Sequence, residues 1–262
     1  MLDSNHFDIT TLCGLRGSGA IVLGFFLVVP LLMQRGMFHT KAVLRYKLIF
    51  YVLEFLYFAY YGWWVNDPML VQSFFQGFAF LKASLAVWLF QASRHKSVPE
   101  APQSTQPQNA KLLFYGSTAY ILPWALFFVL APMEFSPAGR LPFFADELED
   151  SEPRGFDALQ ECAFALEGVH MIGCLAWMYD CIKHNTHIDV KFVIPPALYL
   201  WPMVSVLLHS EDVGFTADRP KYLAVMFAHV SYLAFFLRAI IPEKDKSPTV
   251  ASAIPTQSPE SK

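Results

Sequence analysis

Charge is what this chain has least of. Asp, Glu, Lys and Arg make up 16% of its 262 residues, against roughly a quarter in soluble domains. The shortage argues against a solvated globular surface. Its four cysteines, Cys13, Cys162, Cys174 and Cys181, form no Cys-x-x-Cys pair, so neither a zinc ribbon nor a dithiol redox motif is present. Three of the four fall in one apolar segment and read as small buried side chains. There is no Asn-x-Ser/Thr sequon, no internal repeat and no aspartate-rich magnesium motif. There is also no basic run interleaved with aromatics, and the net charge is only -3. Nucleic acid is therefore excluded as a partner.

What the chain does have is apolar and aromatic mass, 55% and 16% of its residues. It is gathered into blocks of about twenty, the length that crosses a ~30 Å hydrocarbon core. Seven such blocks run at 17–34, 47–65, 69–91, 111–131, 158–182, 192–209 and 221–241, each flanked by charge or turn signals. The expected fold is all-α: a polytopic membrane protein with a bundle of seven transmembrane helices, forming one domain over 1–242 in contact with the lipid bilayer. Pro195, Pro196 and Pro202 predict a kink in the sixth helix. Residues 97–109 read as a polar linker, and 132–157 as an acidic loop carrying Asp146, Glu147, Glu149, Asp150 and Glu152. The stretch 243–262 reads as a disordered tail. The polar, acidic start (Asp3, His6, Asp8) argues that the first segment is retained as an anchor rather than cleaved.

Basic residues orient the bundle. One side carries 13 of them: Arg35, Lys41, Arg45, Lys47, Arg94, Lys96, Lys111, Lys183, Lys191, Arg238, Lys244, Lys246 and Lys262. The other carries 5: Arg16, Arg140, Arg154, Arg219 and Lys221. The positive-inside rule then places the N-terminus in the lumen or exterior and the linker and C-terminus in the cytosol.

Ionisable groups inside such segments cost at least ~2.5 kcal/mol each to insert, so each is a functional candidate by default. Five qualify: Glu54, Lys82, Glu167, His170 and His229. At ~1.5 Å per residue, Glu54, Lys82 and His170 reach similar depths of about 17 to 20 Å, with Glu167 and His229 shallower, so one midplane cluster is expected. Two plainer readings stand beside it: Glu54 and Lys82 simply neutralise each other, and His170 bonds a nearby carbonyl. Glu167 and His170 have the Glu-x-x-His spacing of di-iron bundles, but one copy lacks the further carboxylates such a site needs. No metal is expected. Haem would ask for facing histidines, and a retinal Schiff base for a lysine in the last helix; neither cofactor is expected. Glu54 lies in a helix that is aromatic all round, with Tyr51, Tyr57, Phe58 and Trp63 among its neighbours. Such a wall suits a long apolar ligand, and its ring faces stabilise positive charge. Desolvation there favours the protonated carboxyl, the form that acts as a general acid.

At these residues the chain resembles the fungal integral-membrane terpene cyclases of meroterpenoid and indole-diterpene biosynthesis. Their second helix carries the acid in a W-E-F-x-Y context, to which Leu53-Glu54-Phe55-Leu56-Tyr57 is similar, with leucine in place of tryptophan. A short loop with proline follows, as Asn66-Asp67-Pro68 does here. Their D-G-S-Y-like element in the last helix is matched by His229-Val230-Ser231-Tyr232, with histidine in place of aspartate. The resemblance implies an enzyme of the endoplasmic reticulum that cyclises an epoxidised prenyl chain without a cofactor. In that scheme Glu54 is the acid, and His229, or Glu167 with His170, is the base or relay. Tyr51, Tyr57, Phe58 and Trp63 would form the substrate-binding, cation-stabilising wall. The rival expectation is a non-catalytic binding or signalling protein in which the buried charges only hold helices in register. A transporter, which would favour an inverted repeat or a broken helix pair, has no support in the sequence.

Overall fold

The computed structural model describes residues 18–23, 33, 40–100, 109–136, 138–139, 155–184, 224, 227–232 and 234–235. Among these residues the protein is all-helical, with no strand. Four long helices are seen: α1 (Lys41–Trp63), α2 (Gln72–Arg94), α3 (Asn109–Leu130) and α4 (Ala158–Lys183). A 3₁₀ turn, Pro132–Phe135, follows α3, and short helical stretches occur at 18–23 and 227–232. The helices α1 to α4 coincide with the second to fifth apolar blocks. The largest difference is at the start of α1, which begins at Lys41 rather than 47. The polar turn carrying Lys41, Arg45 and Lys47 is helical although it is not apolar. Helical backbone bonds do not stop where the apolar block does.

Two helices, α2 and α4, are long and apolar enough to cross a membrane, and α3 contributes a shorter apolar run, Phe114–Leu130. The sixth segment with its three prolines, most of the first and seventh, residues 101–108 of the linker and the acidic run Asp146, Glu147, Glu149, Asp150 and Glu152 lie outside the described residues. So does the tail.

Local chemistry fixes the helix ends. Asp157 caps α4 by accepting from the amides of Leu159 and Gln160, and Gln160 reaches back to the Asp157 amide. This reciprocal box satisfies amide donors that an uncapped helix start leaves open. Between α1 and α2 the chain reverses over a few residues. Asp67 accepts from the Met69 amide at 2.8 Å, and Gln76 donates to the Gly62 carbonyl at 2.8 Å, closing the hairpin across its neck.

The packing order follows from which residues meet. From one end of α1 to the other, Arg45 meets Asp180, Tyr46 stacks near Trp177, Phe50 faces Gly173, Glu54 meets His170 and Tyr57 meets Cys162. Rising number on α1 pairs with falling number on α4, so the two run antiparallel along their length. The same rule makes α1 antiparallel to α2 (Glu54 with Lys82, Tyr61 with Phe75). It also makes α3 antiparallel to α4, through Phe114 with Tyr179 and Phe128 with Phe164. Helix α4 is the centre of this arrangement, buried on nearly every face from Cys162 to Cys181. Helix α2 is peripheral and exposes Phe80, Val87 and Trp88. Such apolar exposure matches a helix whose outer face meets lipid. The three described cysteines, Cys162, Cys174 and Cys181, are buried, as expected of small apolar fillers.

Close approach is set by glycine. A Cβ on Gly168 would stand 2.7 Å from the Ala125 carbonyl oxygen and 2.7 Å from a Val129 methyl. Helices α3 and α4 can therefore touch backbone to backbone only because this position is bare. Gly173 does the same for α1, leaving room for the Phe50 ring.

Candidate functional site

Three helices deliver charged or titratable groups to one point. Glu54 of α1 turns its Oε2 toward Lys82 Nζ of α2 at 2.7 Å and its Oε1 toward His170 Nε2 of α4 at 3.2 Å. The lysine contact is a close ion pair. The other nitrogen of the imidazole, His170 Nδ1, lies 2.7 Å from the hydroxyl of Ser18. Ser18 and His170 are buried, while Glu54 and Lys82 are partly buried. The result is a continuous polar line, Ser18–His170–Glu54–Lys82, through an otherwise apolar interior.

Tautomer and charge follow from the partners. A carboxylate only accepts, so the His170 nitrogen facing it carries the hydrogen; in the neutral imidazole Nδ1 is then the acceptor and the Ser18 hydroxyl donates to it. Aromatic rings border the line. The Tyr51 ring lies 4.9 Å from Lys82 Nζ, a cation–π distance, and the Phe50 ring is centred 6.2 Å from His170.

A second cluster forms on α3. His229 Nδ1 is 2.6 Å from the Tyr120 hydroxyl, and the His229 ring meets both Tyr120 and Trp124 edge to face. Tyr232 stacks on Tyr120 at 4.4 Å, with its hydroxyl 3.3 Å from Ser117 Oγ. His229 is buried, and the residues it meets here differ from those around Glu54.

Of the five candidate ionisable groups, three meet. Glu54, Lys82 and His170 come together, while Glu167 is buried one turn earlier on α4. Of the expected aromatic wall, Tyr51 flanks the charged pair. Tyr57 is buried toward the other end, donating to the Cys162 carbonyl at 3.0 Å. Phe58 packs on Phe75 and Phe78 of α2, and Trp63 is half exposed with its ring against Phe80. Ser18, Tyr120 and Trp124 were not singled out from sequence. A lone serine between two glycines, and aromatics inside an apolar run, carry no local mark of the partner they meet. Among the described residues no three His, Cys, Asp or Glu side chains gather as a metal would require. Comparison with known protein families, curated proteins and solved structures finds no match for this chain.

Proposed function

We propose that this chain is a seven-helix enzyme of the endoplasmic reticulum membrane, N-terminus lumenal and C-terminus cytosolic, that performs proton transfer on an apolar prenylated substrate. The particular reaction is cyclisation of an epoxidised prenyl chain, as in the cyclases it resembles. One observation carries this reading: Glu54, Lys82 and His170, from three helices, meet in an aromatic, apolar interior.

An ion pair away from water is poised to neutralise itself, because charge is what burial penalises. A proton passing from Lys82 Nζ to Glu54 Oε2 gives a carboxylic acid beside a neutral amine. The acid gives that proton to the epoxide oxygen as the carbon–oxygen bond opens. The cation left on carbon draws in the neighbouring alkenes, and carbon–carbon bonds form in turn. Ring faces such as Tyr51 stabilise the travelling charge by roughly 0.5 to 2 kcal/mol each. A final carbon-bound proton leaves to a base, and the lysine amine must regain one for the next turnover. His229, matched in sequence to the family's second carboxylate and held among Tyr120 and Trp124, is the assigned base.

The closeness of Lys82 to Glu54 favours a second reading: the pair is a clamp between α1 and α2 in a non-catalytic binding or signalling protein. One set of variants separates the two. Glu54→Gln leaves a partly buried ammonium unpaired and should destabilise the fold by up to roughly 3 to 5 kcal/mol; adding Lys82→Met should restore accumulation. The test is mass spectrometry of lipids from a host expressing the chain beside candidate epoxyprenyl aromatics. The enzyme reading expects a cyclised product from the wild type that the stable double variant cannot make. The clamp reading expects the same rescue of abundance but no product from either. A double variant that still makes product removes Glu54 from the chemistry.

A further inference from the structure

Beyond proton transfer on a prenyl chain, the line Ser18–His170–Glu54 has the connectivity of a nucleophile, its base and the group that orients the base. We propose that Ser18 is an activated nucleophile and that the chain forms a covalent acyl-enzyme with apolar esters. Three features of the geometry meet the requirement. The hydroxyl lies 2.7 Å from an imidazole nitrogen, inside the reach of a nucleophile–base pair. The opposite nitrogen of the same ring is 3.2 Å from a carboxylate, which fixes the tautomer that leaves Nδ1 free to accept. The carboxylate in turn has Lys82 at 2.7 Å on its second oxygen, a cation that favours the ionised form this arrangement uses; Glu54 carries a proton only in the step in which Lys82 hands one over. The roles of the two ring nitrogens are exchanged relative to serine proteases, where Nε2 faces the serine; the chemistry requires only that opposite edges of the ring face serine and carboxylate.

The step balances with an ester and water alone. Ser18 Oγ attacks the acyl carbon as its proton passes to His170 Nδ1. The bond to the ester oxygen breaks, and that proton leaves with the departing alcohol. Water then repeats the sequence, giving a proton to Nδ1, bonding to the acyl carbon and releasing Ser18, which recovers its proton. Glu54 faces the imidazolium throughout and stabilises its charge. The substrate class is set by the surroundings. Ser18 is itself buried, sits between Gly17 and Gly19, and is followed by Ala20 and Ile21, both buried. The apolar surroundings of this serine favour an ester with a long acyl chain over a charged or water-soluble one.

The experiment uses full-length protein in membranes, treated with an alkyl fluorophosphonate and then digested for mass spectrometry. This reagent phosphonylates activated serines with loss of fluoride and needs no knowledge of the substrate. The expected result is an adduct on Ser18, absent in Ser18→Ala. Its formation should slow roughly 100-fold or more in His170→Gln, in line with the 10²–10⁴ that a positioned base contributes. Protein abundance and thermal unfolding of each variant, measured in parallel, separate lost reactivity from lost fold. Two results would overturn the proposal: no Ser18 adduct on well-folded wild-type protein, or an adduct that forms as fast without His170 as with it. Neither result bears on cyclisation, which is read from lipid products and does not use Ser18.

Discussion

Glu54 gives one oxygen to α2 and the other to α4, so a single side chain fastens three helices. In an apolar interior its removal is costly in a way that depends on what is left behind. Lys82→Met alone strands a carboxylate with only a histidine to meet it, and should destabilise the protein by roughly 3 to 5 kcal/mol. The same change combined with Glu54→Gln leaves two neutral groups of similar size and should lose far less. Tyr57 is a milder case. Its hydroxyl donates to the Cys162 carbonyl at 3.0 Å, and Tyr57→Phe should cost about 1 kcal/mol, a typical net value for one buried hydrogen bond. Thermal unfolding in detergent should register this as a small downward shift; an unchanged transition would mean that water or another donor takes its place. The meeting of Glu54, Lys82 and His170 was legible in the sequence because their depths, counted along three separate apolar blocks, agree. The contact of His170 with Ser18 was not. It joins residues 152 apart in the chain, and nothing about a serine near the start of a segment says which helix will face it.

At the scale of the element, existence and length could be read because they depend on how many apolar residues follow one another. Which helix packs on which could not. Helices α1, α3 and α4 are apolar all round, so no face is marked as inward by a stripe of hydrophobic residues, the signal that orients a helix in a soluble protein. Neighbours are chosen instead by shape, through bare positions such as Gly168 and Gly173. Without a hydrophobic force to gather helices in lipid, close backbone approach supplies much of their attraction. This leads to a firm expectation for Gly168→Val. Its branched side chain would meet the Ala125 carbonyl, which is backbone and cannot swing aside, so α3 and α4 must separate. Overpacking of this kind typically costs 1 to 3 kcal/mol. The variant should unfold at lower temperature, and Gly168→Ala should lie between it and the wild type. Equal stability of all three would show that the helices are not held at this spacing.

Across the whole molecule, the directions of the described helices follow from which residues meet. Successive helices α1, α2, α3 and α4 alternate in direction. The stretch 227–235 meets α3 in the reverse order, His229 with Tyr120, Tyr232 with Ser117 and Phe235 with Gly116, so it runs in the same sense as α4. The same alternation assigns the ends. Arg45, Asp180 and His184 meet at one end of the bundle, and Lys41 pairs there with Glu100 of the linker at 2.7 Å. Among the described residues this end also carries Lys47, Arg94, Lys96, Lys111 and Lys183, and the proposed orientation, by the positive-inside rule, puts such a basic end in the cytosol. Tags placed in the 97–109 linker and at the C-terminus should therefore both be cleaved by protease added to sealed microsomes, while a tag within 140–155 should be protected until detergent is added. Protection of the linker tag would reverse the orientation, and protection of the C-terminal tag alone would mean an even number of crossings and no sixth segment.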